Sequence, residues 1–258
     1  MTEARPAPSP FGTFAALAWA ELIAYMRGGK TILWTVLLPL VVLVLSEASL
    51  PQALRHHAVP TLEISAFALT TGIYALGLFG YATTLANYRD RGVFRRLRCS
   101  PAPTWQLLVA RLLIQLIGVA VQAVVVLAGV KVVYGFAPGW TGAGLAAVTI
   151  VAAGLAALAV GQAVAALAGS TGAVTGVSRV VLIAFFLLEG AFVSTKTWPG
   201  WLLHIADWTP VRITLNVLTD SLVRKRWGTA DTHHLIGVLA WIAVLGLVGL
   251  TRFRWDPE

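Results

Sequence analysis

Residues Ala24–Thr31 close on Gly29-Lys30-Thr31, which ends the phosphate-binding pattern G-x-x-x-x-G-K-[ST]. The chemistry of that pattern is the cradling of nucleotide phosphates by backbone N–H groups, with the lysine on the outer phosphates. Here its first glycine is Ala24, no strand precedes it, and an apolar run follows it. Lys30 is therefore read as an anchor, its stem along apolar surface and its ammonium in water. The chain is expected to bind no ATP itself, so energy must come from a partner or an ion gradient. His56-His57 and His233-His234 are paired in loops with few acidic neighbours. A metal site needs ligands converging at one point, and none is expected here. Cys99 is the only cysteine, which excludes an intrachain disulfide and a cysteine-based metal site.

Polar residues inside apolar runs are the next candidates. Arg179 and Glu189 bracket one run. They are ten residues apart, about 15 Å along a helix, so they do not pair directly. Arg179 is read as snorkelling, and Glu189 as a functional candidate partnered by Lys196 or by the segment after it. Gln115 and Gln122 are seven apart and share one helix face; Gln162 lies in the following run. In a span such amides bond to a neighbouring helix or meet a solute. These four residues, Gln115, Gln122, Gln162 and Glu189, are the expected path for a transported molecule. Thr149, Ala153, Ala157, Gly161, Ala165 and Gly169 form a small-residue stripe at spacing four. It is expected to pack its helix closely against another of the same chain.

The elements that carry these residues are six long apolar runs: Thr31–Leu50, Ile64–Ala86, Leu107–Val133, Gly142–Ala168, Val174–Phe192 and Leu235–Leu250. A helix needs about 20 apolar residues to cross a bilayer, where its backbone must be satisfied internally. Hydrophobic residues make up 58% of the 258 and charged residues only 12%, about half the charge of a water-soluble domain. The spans consume most of the chain, which leaves a disordered tail over 1–10 and one membrane domain over 11–258. The prolines at 6, 8 and 10 stand where a cleavable leader would carry its apolar core. A net charge of +8 would suggest nucleic acid in a soluble protein; here Lys and Arg collect at span ends, and no nucleic-acid partner is expected.

The short segment after the second run holds Arg89, Arg91, Arg95, Arg96 and Arg98, which assigns it to the cytoplasm by the positive-inside rule. Six spans then put both termini inside, with Arg27, Lys30, Arg252 and Arg254 in agreement. The last outer loop dissents with Lys196, Arg212, Arg224, Lys225 and Arg226, partly offset by Asp207, Asp220 and Asp231.

Three pieces are neither spans nor simple turns. Phe11–Arg27 has Phe11, Phe14, Leu17, Ala18, Leu22 and Tyr25 at helical spacing, with Trp19 as an aromatic anchor. It reads as a helix in the cytoplasmic interface, broken from the first span at Gly28 and Gly29. Asn87–Trp105 is dense in charge. Gly92 breaks it, and Val93, Phe94 and Leu97 then alternate with Arg95, Arg96 and Arg98 until Pro101 and Pro103. It is either a short two-faced helix or a basic loop that fixes topology. In Ser194–His234, Trp198, Trp201, Leu202, Ile205 and Trp208 follow helical spacing, Pro210 interrupts, and Leu215, Leu218 and Leu222 follow. It reads as a helical hairpin dipping into the outer leaflet, a depth that suits its Trp residues.

This order of pieces resembles the ABC transporter type-2 permease family, in particular its drug and antibiotic exporter branch. Arg89-Asp90-Arg91-Gly92-Val93-Phe94-Arg95-Arg96-Leu97-Arg98, then Pro101, is similar to the family pattern before the third span. Trp198-Pro199 and Trp208-Thr209-Pro210 resemble its outer motif. The family often has more acidic residues in the first motif, where this chain keeps only Asp90. The resemblance implies an all-α polytopic membrane protein of six transmembrane helices, with the N-terminal interfacial helix, a cytoplasmic coupling helix and the outer hairpin. It implies two permease copies, identical or related, driven by a separate ABC ATP-binding subunit that holds ATP and Mg. The coupling helix would be Val93–Ser100, hinged at Gly92, with Asp90, Gly92, Val93, Phe94, Arg95, Arg96 and Leu97 engaging that subunit. Phe94 and Leu97 would give its apolar contact, and the arginines its rim.

The expected function is export of an amphipathic drug, antibiotic or lipid across a bacterial inner membrane. Polysaccharide or ion export by the same family is the alternative. An ion-coupled secondary transporter would need an internal repeat with acidic residues near midplane. A membrane-embedded enzyme would need clustered His, Asp or Glu at one depth. Neither pattern is evident, and no residue is assigned a catalytic role.

Overall fold

The computed structural model describes residues 10–54, 57–98, 104–135, 139–190, 197–224 and 228–252. The 1–9 stretch, Arg55, His56, Cys99, Pro101, Pro103, Lys196, Lys225, Arg226 and Arg254 lie outside them, as do the side chains of Phe11, Lys30, Arg95, Leu97 and Arg98. No strand occurs among the described residues.

Helix α1 covers Pro10–Arg27 and α2 Gly29–Ser49. Only Gly28 separates them, so Ala24–Thr31 joins helix to helix and has no strand before it. A 3-10 turn at Gln52–Leu54 leads into α3, Ala58–Ala75. Leu76–Ala82 then widens to π-helix, and α4, Thr83–Asp90, completes one rod of 33 residues from Ala58. The short α5 is Val93–Arg98, α6 is Thr104–Tyr134 and α7 is Trp140–Leu167. The next are α8, Thr171–Leu188, α9, Gly200–Asp207, and α10, Pro210–Thr219, which runs on as π-helix over Asp220–Arg224. The last is α11, Thr229–Arg252.

Five helices are long and apolar enough to cross a membrane: Ala58–Asp90, Trp105–Tyr134, Gly142–Leu167, Thr171–Leu188 and Thr229–Arg252. Helix α2 has 21 residues, and its apolar stretch among the described side chains is Val36–Ser49. The Ala58–Asp90 rod is the most enclosed of the five, whereas α8 and α11 expose most of their surface. Bare apolar faces on long helices are the expected match to lipid tails.

The small-residue stripe packs within the chain as far as Ala165, while Gly169 lies beyond the end of α7 and is exposed. Thr149, Ala153, Ala157, Gly161 and Ala165 are all buried. Helix α7 crosses the π-helical stretch so closely that a Cβ on Gly161 would overlap the Gly77 carbonyl oxygen, and one on Gly77 the Ala157 carbonyl oxygen. On its other side α7 meets α11, where a Cβ on Gly249 would overlap Gln162 Cγ.

Two expectations change at the end of the molecule away from α5. Helix α8 stops at Leu188, not at Phe192, because Gly190 takes φ +88. Its N–H returns to Leu187 O at 3.0 Å, as at a glycine-terminated helix end. Pro210 does not interrupt a helix; it begins one. Thr209 caps α10, its Oγ1 accepting the Arg212 N–H at 3.4 Å, and Pro210 takes the first turn, where its missing N–H costs nothing. Helices α9 and α10 form the hairpin, with Trp201, Ile205 and Trp208 exposed on α9. Burial raises the Asp220 carboxyl above its ordinary value; Arg224 opposes this and Asp231 adds to it.

Candidate functional site

The site begins where α4 ends. Asp90 is its last residue, and Gly92 turns the chain with φ +66, a left-handed conformation that glycine adopts without steric cost. A Cβ there would meet nothing within 4 Å, so backbone conformation, not space, calls for glycine. The Arg96 N–H returns to Gly92 O at 3.2 Å and starts α5. Arg91 and Arg96 are exposed.

Two charged residues fix the root of this turn. Arg89 is buried and donates to Ala165 O at 3.1 Å and Ala168 O at 2.9 Å. These carbonyls close α7, where a helix leaves acceptors unpaired and favours a cation. Asp90 Oδ2 accepts from the Thr171 N–H at 3.0 Å and Thr171 Oγ1 at 2.6 Å. Thr171 opens α8, where free N–H groups favour an anion. Neighbouring side chains thus cap two consecutive helices and pin the α7–α8 turn to the end of α4.

On the other side lies a buried polar network. Phe94 is fully buried, with its ring edge-on to Tyr88 at 6.3 Å. This burial sets Phe94 against its own chain, at Tyr88. Tyr88 Oη donates to Glu21 Oε1 at 2.7 Å. Arg111 Nη1 donates to Glu21 Oε2 at 2.9 Å, while its Nη2 reaches Thr84 Oγ1 at 2.7 Å and Gly80 O at 3.3 Å. Glu21 and Arg111 are both about 95% buried. Four residues along α1, Tyr25 packs against Gly118, so α1 runs alongside α6.

The description "ABC-2 type transporter" fits residues 13–223, from α1 through the hairpin. The chain belongs to the ABC-2 type transporter family. It is a permease component of an ABC transporter, a multi-pass membrane protein and not itself catalytic. ABC-2 permeases normally work with an ATP-binding subunit. No curated protein matches this chain.

Within this ABC-2 permease the four expected path residues fall in separate places. Gln115 and Gln122 are both buried on one face of α6. Gln122 Nε2 donates to Leu69 O at 3.3 Å, while neither amide atom of Gln115 has a partner among the described residues. Gln162 lies on α7 and accepts from Tyr81 Oη at 2.9 Å. Glu189 caps α8 at the opposite end from α5. It accepts from Thr71 Oγ1 at 2.7 Å, and its carbonyl accepts from Arg212 Nη1 of the hairpin at 3.0 Å. Close by, Tyr74 Oη meets Thr214 Oγ1 at 3.2 Å. Arg179 is exposed on α8. Among the described residues no group of three or more His, Cys, Asp or Glu could hold a metal ion.

Sequence reading missed Arg111, Glu21, Tyr88 and Arg89 as a site. One signal was present: Arg111 is an arginine several residues inside an apolar run, and such charges need a partner.

Proposed function

We propose that this permease is the membrane subunit of an ATP-driven exporter of an amphipathic molecule such as a drug, an antibiotic or a lipid. The observation that carries the reading is the α4–Gly92–α5 turn: a short helix on a glycine hinge, bearing exposed Arg91 and Arg96, whose root is bonded to α1, α6, α7 and α8. A stiff projection rooted in many spans is suited to carrying a rigid-body push. A separate ABC ATP-binding subunit, holding ATP and Mg, would dock on it through Arg96 and its neighbours. Phe94 would serve by seating α5 on Tyr88. The proposed assembly has two permease copies in a bacterial inner membrane, each with six spans when α2 is included, and α1 at the interface with Trp19 exposed. The α5 end and both termini would be cytoplasmic.

Isolation of the chain from its native membranes in mild detergent should bring an ABC ATP-binding subunit with it. The pair should hydrolyse ATP, and the chain alone should not. ATP hydrolysis by the chain alone, free of contaminants, would overturn the assignment. Orientation has its own test: Cys99 should react with a membrane-impermeant maleimide in inside-out vesicles and stay unlabelled in intact cells. Labelling from outside would reverse the topology and remove the docking role of α5.

A further inference from the structure

We propose that Glu21, Tyr88 and Arg111 are positioning residues that carry displacements of α5 into the π-helical stretch of the Ala58–Asp90 rod. The proposal rests on the reading of α5 as the segment the ATP-binding subunit moves.

The end of α4 is a fork. Arg89 and Asp90 tie it to α7 and α8 through four hydrogen bonds. Tyr88, one residue earlier, reaches Glu21 of α1 through a single hydroxyl, while α6 is tied a turn further back by Arg111 on Thr84. The many-bonded arm fixes a pivot, and the single-bonded arm yields. Because Phe94 lies against the Tyr88 ring, rotation of α5 about Gly92 acts first on this weaker arm.

Beyond Tyr88 the route is continuous. Its hydroxyl meets one oxygen of Glu21, Arg111 meets the other, and Arg111 then returns to Thr84 and Gly80. Gly80, Thr84 and Tyr88 lie at spacing four on the rod, so Arg111 and Glu21 span the same face from the coupling end into the π-helical stretch. That stretch holds one residue more than an α-helix of its length accommodates, and π-helical turns often mark functional sites. Its carbonyls are bonded from outside: Arg111 takes Gly80 O, and Ser178 Oγ of α8 takes Leu78 O at 3.3 Å. Arg111 therefore helps to hold the π register. Release of Glu21 by Tyr88 would free its guanidinium to shift and let the rod slip toward α-helical pairing.

The test uses the complex of the chain with its ATP-binding subunit in lipid nanodiscs, in a Cys99→Ser background. One spin-label pair, Trp19→Cys with the native Cys99 restored, reads the α5 end and leaves Arg96 in place. A second, Val59→Cys with Val132→Cys, reads the far ends of α3 and α6. In the parent complex ATP with vanadate should change both distances. Tyr88→Phe removes one oxygen and keeps the ring on Phe94. It should keep the first change and reduce the population showing the second about tenfold, the effect of losing one hydrogen bond to a charged group. Arg111→Lys keeps the charge but loses the fork to Thr84 and Gly80, and should do the same. Links in series predict that the double variant is no worse than either single, whereas independent structural contributions would add. A Tyr88→Phe complex with a full far-end response, or additive losses, overturns the proposal. A parent complex in which nucleotide moves neither pair overturns the coupling reading of α5 itself, and this inference with it.

Discussion

Arg111→Met should destabilise the folded chain by about 3–5 kcal/mol, because it strips the partner from a buried carboxylate. Glu21 and Arg111 are each about 95% buried, and their ion pair measures 2.9 Å. Methionine fills much of the same volume, so packing loss is not the main term. The loss lies in Glu21 Oε2, left buried without a donor, and in Gly80 O and Thr84, which lose the guanidinium. Glu21→Gln should cost a similar amount, since it leaves the buried Arg111 guanidinium without a carboxylate and, with the amide oxygen on Tyr88, sets an N–H against the Arg111 N–H. The pair tests the cause. Removing both charges together is often close to neutral where removing one is not. The double variant Glu21→Gln/Arg111→Met should therefore be more stable than Arg111→Met alone, a coupling that independent sites would not show. Thermal unfolding midpoints in one detergent, at matched purity, measure all four proteins. Equal midpoints for the double and for Arg111→Met would mean that the damage is not electrostatic.

The same network shows where sequence reading stops. Five of the six apolar runs fall on helices long and apolar enough to span, legible from apolar length because lipid leaves a backbone few options. Gly92 was legible as a break in the charged segment, and it does turn the chain there, with φ +66. The stripe from Thr149 to Ala165 was legible as a packing face because small residues at spacing four admit a close neighbour. The neighbour was not legible: Gly77 is 84 positions from Gly161, and its role depends on a π-helical stretch that no residue pattern announces. Arg111 was hidden within an apolar run, and Glu21 lay unremarked among the apolar positions of the Phe11–Arg27 stretch. Their partnership joins residues 90 positions apart. Phe94 shows a different limit. Alternation left the segment open between a two-faced helix and a basic loop, and periodicity does not say which face of a helix meets the rest of the chain. Burial against Tyr88 decides that. Glu189 was assigned to Lys196 or to the segment after it; Arg212 of that segment meets its backbone carbonyl, while its carboxylate meets Thr71 of α3.

The crossing of α7 with the π-helical stretch yields the other large effect. Gly161→Ala should destabilise by about 1–3 kcal/mol, although alanine is the better helix former, because the added methyl is forced into a filled contact. The obstacle is the carbonyl oxygen of Gly77, with Tyr81 Cδ1 at 3.4 Å beside it. Backbone in mid-span cannot swing aside as a side chain does, so the two helices must separate. Separation is felt twice over, since the next residue, Gln162, bonds Tyr81 at 2.9 Å and packs on Gly249 of α11. Gly144 supplies the control on the same helix: a Cβ there meets nothing within 4 Å. Gly144→Ala should be neutral or stabilise by up to about 1 kcal/mol through the unfolded chain. A general sensitivity of α7 to lost glycine flexibility would lower both variants alike. Close approach at one crossing lowers Gly161→Ala alone, and Gly77→Ala, which meets the Ala157 carbonyl, should match it. Thermal midpoints of the three variants in detergent decide the matter, and a Gly161→Ala protein as stable as its Gly144→Ala control would mean that the helices do not touch there.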